Sequence, residues 1–307
     1  MINILGKRYY YFLFSLFLIV PGLVLMFVKG GLPLSIDFTG GTMLEVSFPG
    51  GTLPLPADVV QLFNGLDITD VQVTTTGNNT IVIRSSPLDD TGRGAVLAAM
   101  SNRFGQAPEV LRFDTVGPTV GQEVTTRAAL AVLVAAIGVI LFITYSFRGI
   151  EHSFRYGVCA IIAMFHDALL VISISSIGSH FWGWQIDSLF LTAFLTVIGF
   201  SVQDKIVVFD RIRENSSIYR KLSFETLANH SIVQTLQRSI NTQLMTSEFM
   251  LLAMALFGGV TLREFSVILL AGLLSGTYSS IFIAAPILVV WETKEWRTWF
   301  RRQPLHA

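Results

Sequence analysis

Between Arg8 and Lys29 the chain runs from Tyr9 to Val28, 20 residues, without a charged side chain. Crossing the hydrocarbon of a bilayer takes about 20 apolar residues in helical form. The pattern then recurs. Ala128 to Phe147 is a second run, Tyr156 to Ser179 a third, interrupted by His166 and Asp167, and Phe265 to Trp291 another. Two runs are less pure. Ser188 to Gln203 covers 16 residues and reaches spanning length only if Asp204 and Lys205 enter the membrane and the helix continues to Phe209, and Ser239 to Phe257 carries Glu248. The expectation is a polytopic α-helical membrane protein with six transmembrane helices. The first run has too long an apolar core, and no small-residue cleavage site after it, to read as a signal peptide. Pro21 is expected to bend it.

Composition excludes other classes. Apolar types make up 52% of the chain and charged types 14%, where a soluble domain carries about 25% charged residues. The 21 Lys+Arg equal the 21 Asp+Glu. That balance argues against a basic nucleic-acid binder and an acidic disordered chain. The single cysteine, Cys159, excludes a disulfide framework and a Cys-rich metal cluster. The lipid bilayer is the expected surrounding, and no nucleic acid is expected as a partner.

Lys and Arg placement orients the spans. With the N-terminus in the cytoplasm, one side collects Lys7, Arg8, Arg148, Arg155, Arg211, Arg213, Arg220, Lys221, Lys294, Arg297, Arg301 and Arg302. Residues 180–187 on the other side have none, and the loop after Phe257 has Arg263. Trp291, Trp296 and Trp299 suit an aromatic belt on the inner side. Both termini are expected in the cytoplasm.

Residues 30–125 read differently. Leu44, Val46 and Phe48 alternate with Glu45 and Ser47 as in a half-buried strand. Val59, Phe63 and Leu66 follow helical spacing after Pro56. Val71–Thr76 and Thr80–Ser85 flank Gly77-Asn78-Asn79, a hairpin signal. Val96, Met100 and Phe104 mark a second helix, with Asp89 and Asp90 at its positive end. Leu111 and Phe113 alternate in a last strand. The order β-α-β-β-α-β predicts an extracytoplasmic ferredoxin-like α+β domain between helices 1 and 2. The domain map is then 1–29 (N-terminus and first helix), 30–125 (outer domain), 126–291 (helices 2 to 6, with a cytoplasmic segment 210–237) and 292–307 (cytoplasmic tail).

No G-x-x-x-x-G-K-[ST] or H-E-x-x-H occurs, so no enzyme and no cofactor is expected. His166-Asp167 is a His–carboxylate neighbour pair inside a span. Adjacent helical residues point about 100° apart, which favours hydrogen bonding at a helix interface over a shared metal.

The informative residues are the intramembrane charges, each costing about 2.5–3.5 kcal/mol at mid-bilayer. Asp204 lies in the inner half of the fourth span, and Arg238 opens the fifth at similar depth. Arg238, Asn241, Thr242 and Thr246 form one polar stripe. An ion path and interhelical hydrogen bonding explain that stripe equally well. Lys205 is expected to snorkel to the inner interface. Glu248, about 15 Å deeper than Arg238 by helical rise, is either a second proton site or a residue facing a partner. Gly272 and Gly276 form a G-x-x-x-G, continued by Ser279 and Ser280, that signals close helix packing.

Several stretches, in this order and spacing, resemble one family over the whole chain. They are Ile36-Asp37-Phe38-Thr39-Gly40-Gly41-Thr42, Val116-Gly117-Pro118-Thr119-Val120-Gly121, His166-Asp167, Asp204 with Ile206 to Asn215 (including Asp210-Arg211), Thr235-Leu236-Gln237-Arg238 and Gly276 to Ser280. They are similar to motifs of the SecD/SecF family of bacterial protein-export membrane proteins, itself similar to the RND superfamily of proton-driven exporters. The resemblance implies no enzyme but an accessory subunit of the Sec translocase in the bacterial cytoplasmic membrane. Its implied partners are SecD, the SecYEG channel, the translocating preprotein and a YidC-type insertase. Its implied work is the late, ATP-independent stage of export, driven by the proton gradient. The family's coupling residues fall on Asp204 and Arg238. Gln203-Asp204-Lys205 departs from the Asn-Asp-Thr or Asn-Asp-Ser usual there, and Glu248 is not a usual family residue. An independent RND-like small-molecule exporter and a scaffold that moves no ions are the alternatives.

Overall fold

The structure is a computed structural model describing residues 3–48, 53–76, 79–148, 153–243, 249–258 and 260–297. The elements in chain order are α1 (Arg8–Val28), α2 (Ile36–Thr39), β1 (Gly41–Ser47), α3 (Pro56–Asn64), β2 (Gln72–Thr76), β3 (Thr80–Ser85), α4 (Asp90–Phe104) and β4 (Glu109–Val116). Long helices follow: α5 (Pro118–Ser146), α6 (Ser153–Trp182), α7 (Ser188–Ile218), α8 (Phe224–Gln243), α9 (Phe249–Phe257), α10 (Val260–Ser279) and α11 (Ala285–Thr293). A π-helical turn, Ser280–Ala284, joins α10 to α11. It lies just before Pro286, which lacks an N–H and crowds the preceding turn. The chain divides into a sheet unit, Leu32–Ala131 with Gly178–Ser188, and a helical unit holding the other described residues.

The sheet unit is a four-stranded antiparallel sheet in the order β2-β3-β1-β4. Alternation puts Leu44, Val46, Ile81 and Ile83 on one face, where Val59 and Phe63 of α3 and Val96 and Met100 of α4 bury against them. Pro56 at the head of α3 suits a position whose N–H needs no partner. Asp89 caps α4, its carboxylate accepting from the Gly92 N–H at 2.7 Å and from the Thr91 hydroxyl at 2.7 Å. Those bonds, Thr91's foremost, hold the Asp89 carboxyl below its ordinary value.

Two readings of this region need correction. Leu66 is not on a helix face: α3 stops at Asn64 and Leu66 is exposed. Leu111 does not alternate inward. A bulge shifts the register so that Glu45 faces Arg112 while Val46 faces Val110, leaving Leu111 as the extra, exposed residue. The segment before α7, read only as a short loop, belongs to the sheet unit. The Ile186 N–H donates to the Pro33 carbonyl at 2.9 Å, and the Ser35 N–H to the Ile186 carbonyl at 2.8 Å.

In the helical unit, Phe147 and Tyr156 pack around Phe209, and Ile212, Ile232, Leu288 and Val289 join the same core. The glycine pair of α10 packs on α7 as its spacing suggests. A Cβ on Gly272 would lie 2.2 Å from Val197 Cγ2, and one on Gly276 would lie 3.3 Å from Ser201 Cα. Among the described residues five helices are long and apolar enough to cross a membrane: Leu5–Val28, Pro118–Ser146, Ser153–Trp182, Ser188–Ile218 and Leu262–Thr293. The remaining expected span, Ser239 to Phe257, falls on the end of α8, on α9 and on residues between them. Glu248, Thr246, Gly77, Asn78, Trp299, Arg301 and Arg302 lie outside the described residues, as does the Thr242 side chain.

Candidate functional site

Inside the apolar helices a polar cluster is built on Asp167 of α6. Lys205 of α7 brings its Nζ to 2.7 Å from Asp167 Oδ2, and neither side chain is exposed (0% each). Ser201, one turn before Lys205 on the same face of α7, donates its hydroxyl to Asp167 Oδ2 at 2.6 Å. From α10, Ser275 donates to Asp167 Oδ1 at 2.6 Å and Ser279 to Oδ2 at 2.6 Å. The close approach allowed by Gly276 brings that serine pair within reach. Lys205 fills its remaining donors with the Ser201 carbonyl at 3.0 Å and hydroxyl at 2.5 Å.

The arrangement satisfies both charges. A carboxylate only accepts and an ammonium only donates, and each here has at least three oppositely matched partners. Burying an ion pair is favourable only when such extra bonds offset the lost hydration. Lys205 therefore does not snorkel, as its sequence position suggested. Its anion lies one helix away and its hydroxyl and carbonyl acceptors one turn back, so the inward rotamer replaces the hydration shell bond for bond.

His166 completes the cluster, with Nδ1 3.1 Å from Asp167 Oδ1. Its Nε2 is buried without a hydrogen-bond partner. Among the described residues no three His, Cys, Asp or Glu side chains gather as a metal site.

Asp204 is half-buried, and the Thr277 hydroxyl of α10 donates to its Oδ2 at 3.3 Å. Arg238 and Asn241 are exposed on α8, and Arg238 makes no ion pair with a described carboxylate. Farther along α7, Asp210 pairs with Arg213 at 2.6 Å, and Arg211 with Glu214 at 2.5 Å. Arg211 Nε also donates to Gln234 of α8 at 2.7 Å. Arg211 thus belongs to the α7–α8 junction, and Asp210 pairs within α7; neither is part of the Asp167 cluster. Gly117 precedes α5, which Pro118 opens, while Asp37 lies on the short helix α2, Gly40 joins it to β1 and Gly41 is the first residue of β1. Sequence reasoning missed Ser201, Ser275 and Ser279 as partners of Asp167. The available signal was the four-residue spacing of Ser201 with Lys205 and of Ser275 with Ser279.

Residues 96–294 match the model of "Protein export membrane protein SecD/SecF, C-terminal", and residues 24–48 match the "SecD/SecF GG Motif". The chain is 68% identical to the protein translocase subunit SecF of Anaerolinea thermophila over 98% of both chains. It is 43% identical to that of Thermobaculum terrenum, again over 98% of both. Its fold is similar to the crystal structure of SecDF, a translocon-associated membrane protein from Thermus thermophilus, with a TM-score of 0.81 and 30% identity over 95% of this chain. The chain spans 39% of the length of that SecDF structure.

Proposed function

The chain belongs to the SecD/SecF family of protein-export membrane proteins, and from that premise we propose that it is an accessory subunit of a Sec protein translocase. In this reading it works with a SecD partner beside the SecYEG channel and uses the proton gradient to promote the late, ATP-independent stage of export. The observation that carries it is the 68% identity, over 98% of both chains, to a protein named translocase subunit SecF. The protein sits in the bacterial cytoplasmic membrane with both termini inside. Its sixth crossing runs through the end of α8 and α9. The sheet unit is a ferredoxin-like module on the outer side, a reading supported by its β-α-β-β-α-β order and its strand order β2-β3-β1-β4. The translocating preprotein and a YidC-type insertase are its further neighbours.

The proton carrier in this reading is Asp204. Among the described residues, Asp167 is already saturated by Lys205 and three hydroxyls, whereas Asp204 is half-exposed. Arg238, which stays charged, is the fixed counter-charge. Ionisable residues within spans face a partner or water rather than lipid, so in this reading the exposed face of α8 that carries Arg238 is the side that meets the SecD partner.

Export assays on Asp204→Asn and Arg238→Lys, with and without an uncoupler, test the proposal. Asp204→Asn keeps the shape but cannot titrate. It is expected to stay in the membrane and bind its partner while gradient-dependent export fails. Arg238→Lys is expected to be partly active, because a point charge does not replace the planar guanidinium. Parental, uncoupler-sensitive export by Asp204→Asn would remove Asp204 as carrier and make Glu248 or the SecD partner the better candidate.

A further inference from the structure

The proton path proposed above makes no use of the Ser35–Gly41 turn, yet this turn is among the most tightly built parts of the sheet unit. The Asp37 carboxylate accepts from the Ser188 N–H at 3.0 Å and from the Ser188 hydroxyl at 2.5 Å. Ser188 is the first residue of α7. An N–H at that end has no partner inside its own helix, and here a side chain far away in sequence supplies one. The negative charge also lies at the positive end of the helix dipole.

Backbone pairing reinforces the junction. Leu34 and Ile186 form a parallel bridge, flanked by the bonds from Ile186 to Pro33 and from Ser35 to Ile186. On its other side the turn grips the start of α5. The Thr125 hydroxyl donates to the Phe38 carbonyl at 3.0 Å. A Cβ on Gly40 would lie 2.9 Å from Pro118 Cα, and one on Gly121 would lie 2.7 Å from Gly40 N. Gly41 follows at φ 127° against the end of β3, where a Cβ would lie 2.7 Å from the Ser85 carbonyl. One short turn therefore joins the sheet to the first residues of two helices long and apolar enough to cross a membrane.

We propose that Asp37 is a positioning residue for export: it clamps the first residue of α7 to this turn and so fixes the start of the helix that carries Asp204 and Lys205. The proposal rests on the translocase reading for its export readout only; the clamp itself is measurable without it. Residues paired across neighbouring strands lie about 4.8 Å apart, within the span a disulfide closes. A Leu34→Cys/Ile186→Cys pair therefore reports whether the clamp is closed, and the native Cys159 is buried.

The experiment follows disulfide formation by that pair in membranes, with mild oxidant, in the parental and the Asp37→Ala backgrounds. Export is measured in parallel from cells depleted of the native chain. Losing a helix cap weakens the closed state by about fivefold, and the pair is expected to close more slowly by a similar factor in Asp37→Ala. Export by Asp37→Ala is expected to fall at parental abundance, to recover when the disulfide forms and to fall again on reduction. Asp37→Asn, which can still accept from an N–H, is expected to lie between. Undiminished cross-linking and export in Asp37→Ala, or a closed disulfide that leaves export impaired, would overturn the proposal. If Asp37→Ala does not accumulate, Asp37→Asn and Ser188→Ala decide, since each weakens the junction without abolishing it; parental cross-linking in both would overturn it. If cells depleted of the chain export normally, the translocase reading fails, and the cross-linking rates still decide the clamp.

Discussion

Lys205 on α7 reaches Asp167 on α6 at 2.7 Å with both side chains at 0% exposure. The two charges neutralise each other inside helices apolar enough to cross a membrane, and three serine hydroxyls complete the shell of the acid. That pair joins α6 to α7, and through Ser275 and Ser279 it holds α10 as well.

Removing one partner leaves an uncompensated buried charge. Lys205→Ala and Asp167→Asn are each expected to destabilise the protein by about 3–5 kcal/mol, whereas Asp167→Leu with Lys205→Met is expected to recover most of the loss. Thermal unfolding in detergent of the single variants and of the Leu/Met double measures this. A double variant no more stable than the singles would mean that the two side chains do not act as a pair.

The α7–α10 contact is set by Gly272 against Val197, where a Cβ would lie 2.2 Å from Cγ2. Gly272→Ala is expected to cost about 1–3 kcal/mol through overpacking. Because the obstructing atom belongs to a side chain, Val197→Ala should relieve much of that cost. Unfolding temperatures of the two single variants and the combination check it, and no relief would place the clash on the backbone.

Reporter fusions after Gly77 and after Arg220 test the orientation. A reporter active only outside the cytoplasm is expected to work at the first position and fail at the second. Equal activity at both would rule out the proposed arrangement of spans.

The Asp89 cap gives the sheet unit an acid dependence. Its carboxyl is held below the ordinary 3.8 by the Thr91 hydroxyl and the Gly92 N–H. A depressed folded value means that the stabilisation is present above about 3.8 and lost as pH falls through the folded value. The Gly92 amide resonance is expected to titrate with a midpoint below 3.8, and Asp89→Asn to abolish that transition. A midpoint at the ordinary value would show that the cap does not favour the charged form.

What the sequence determined by itself was everything governed by local periodicity and by the length of apolar runs. The 20 charge-free residues from Tyr9 to Val28 could only be a long apolar helix. The alternation at Leu44, Val46 and Phe48 put one face of β1 in a core, and the spacing of Gly272 and Gly276 announced a close helix contact. Asp204 and Arg238 were visible as charges out of place in apolar surroundings. The tertiary structure alone decided which partner each polar side chain meets. Lys205 has the same flexible stem whether it reaches for water or for Asp167, and the choice depends on α6 and α10 bringing a carboxylate and two serines to its inward side. The bulge that turns Leu111 outward depends on how β4 registers against β1. The capping of α7 by Asp37 joins residues 151 positions apart. Periodicity reports which face of an element is apolar; it contains no term for which elements become neighbours, and every one of these outcomes depends on that.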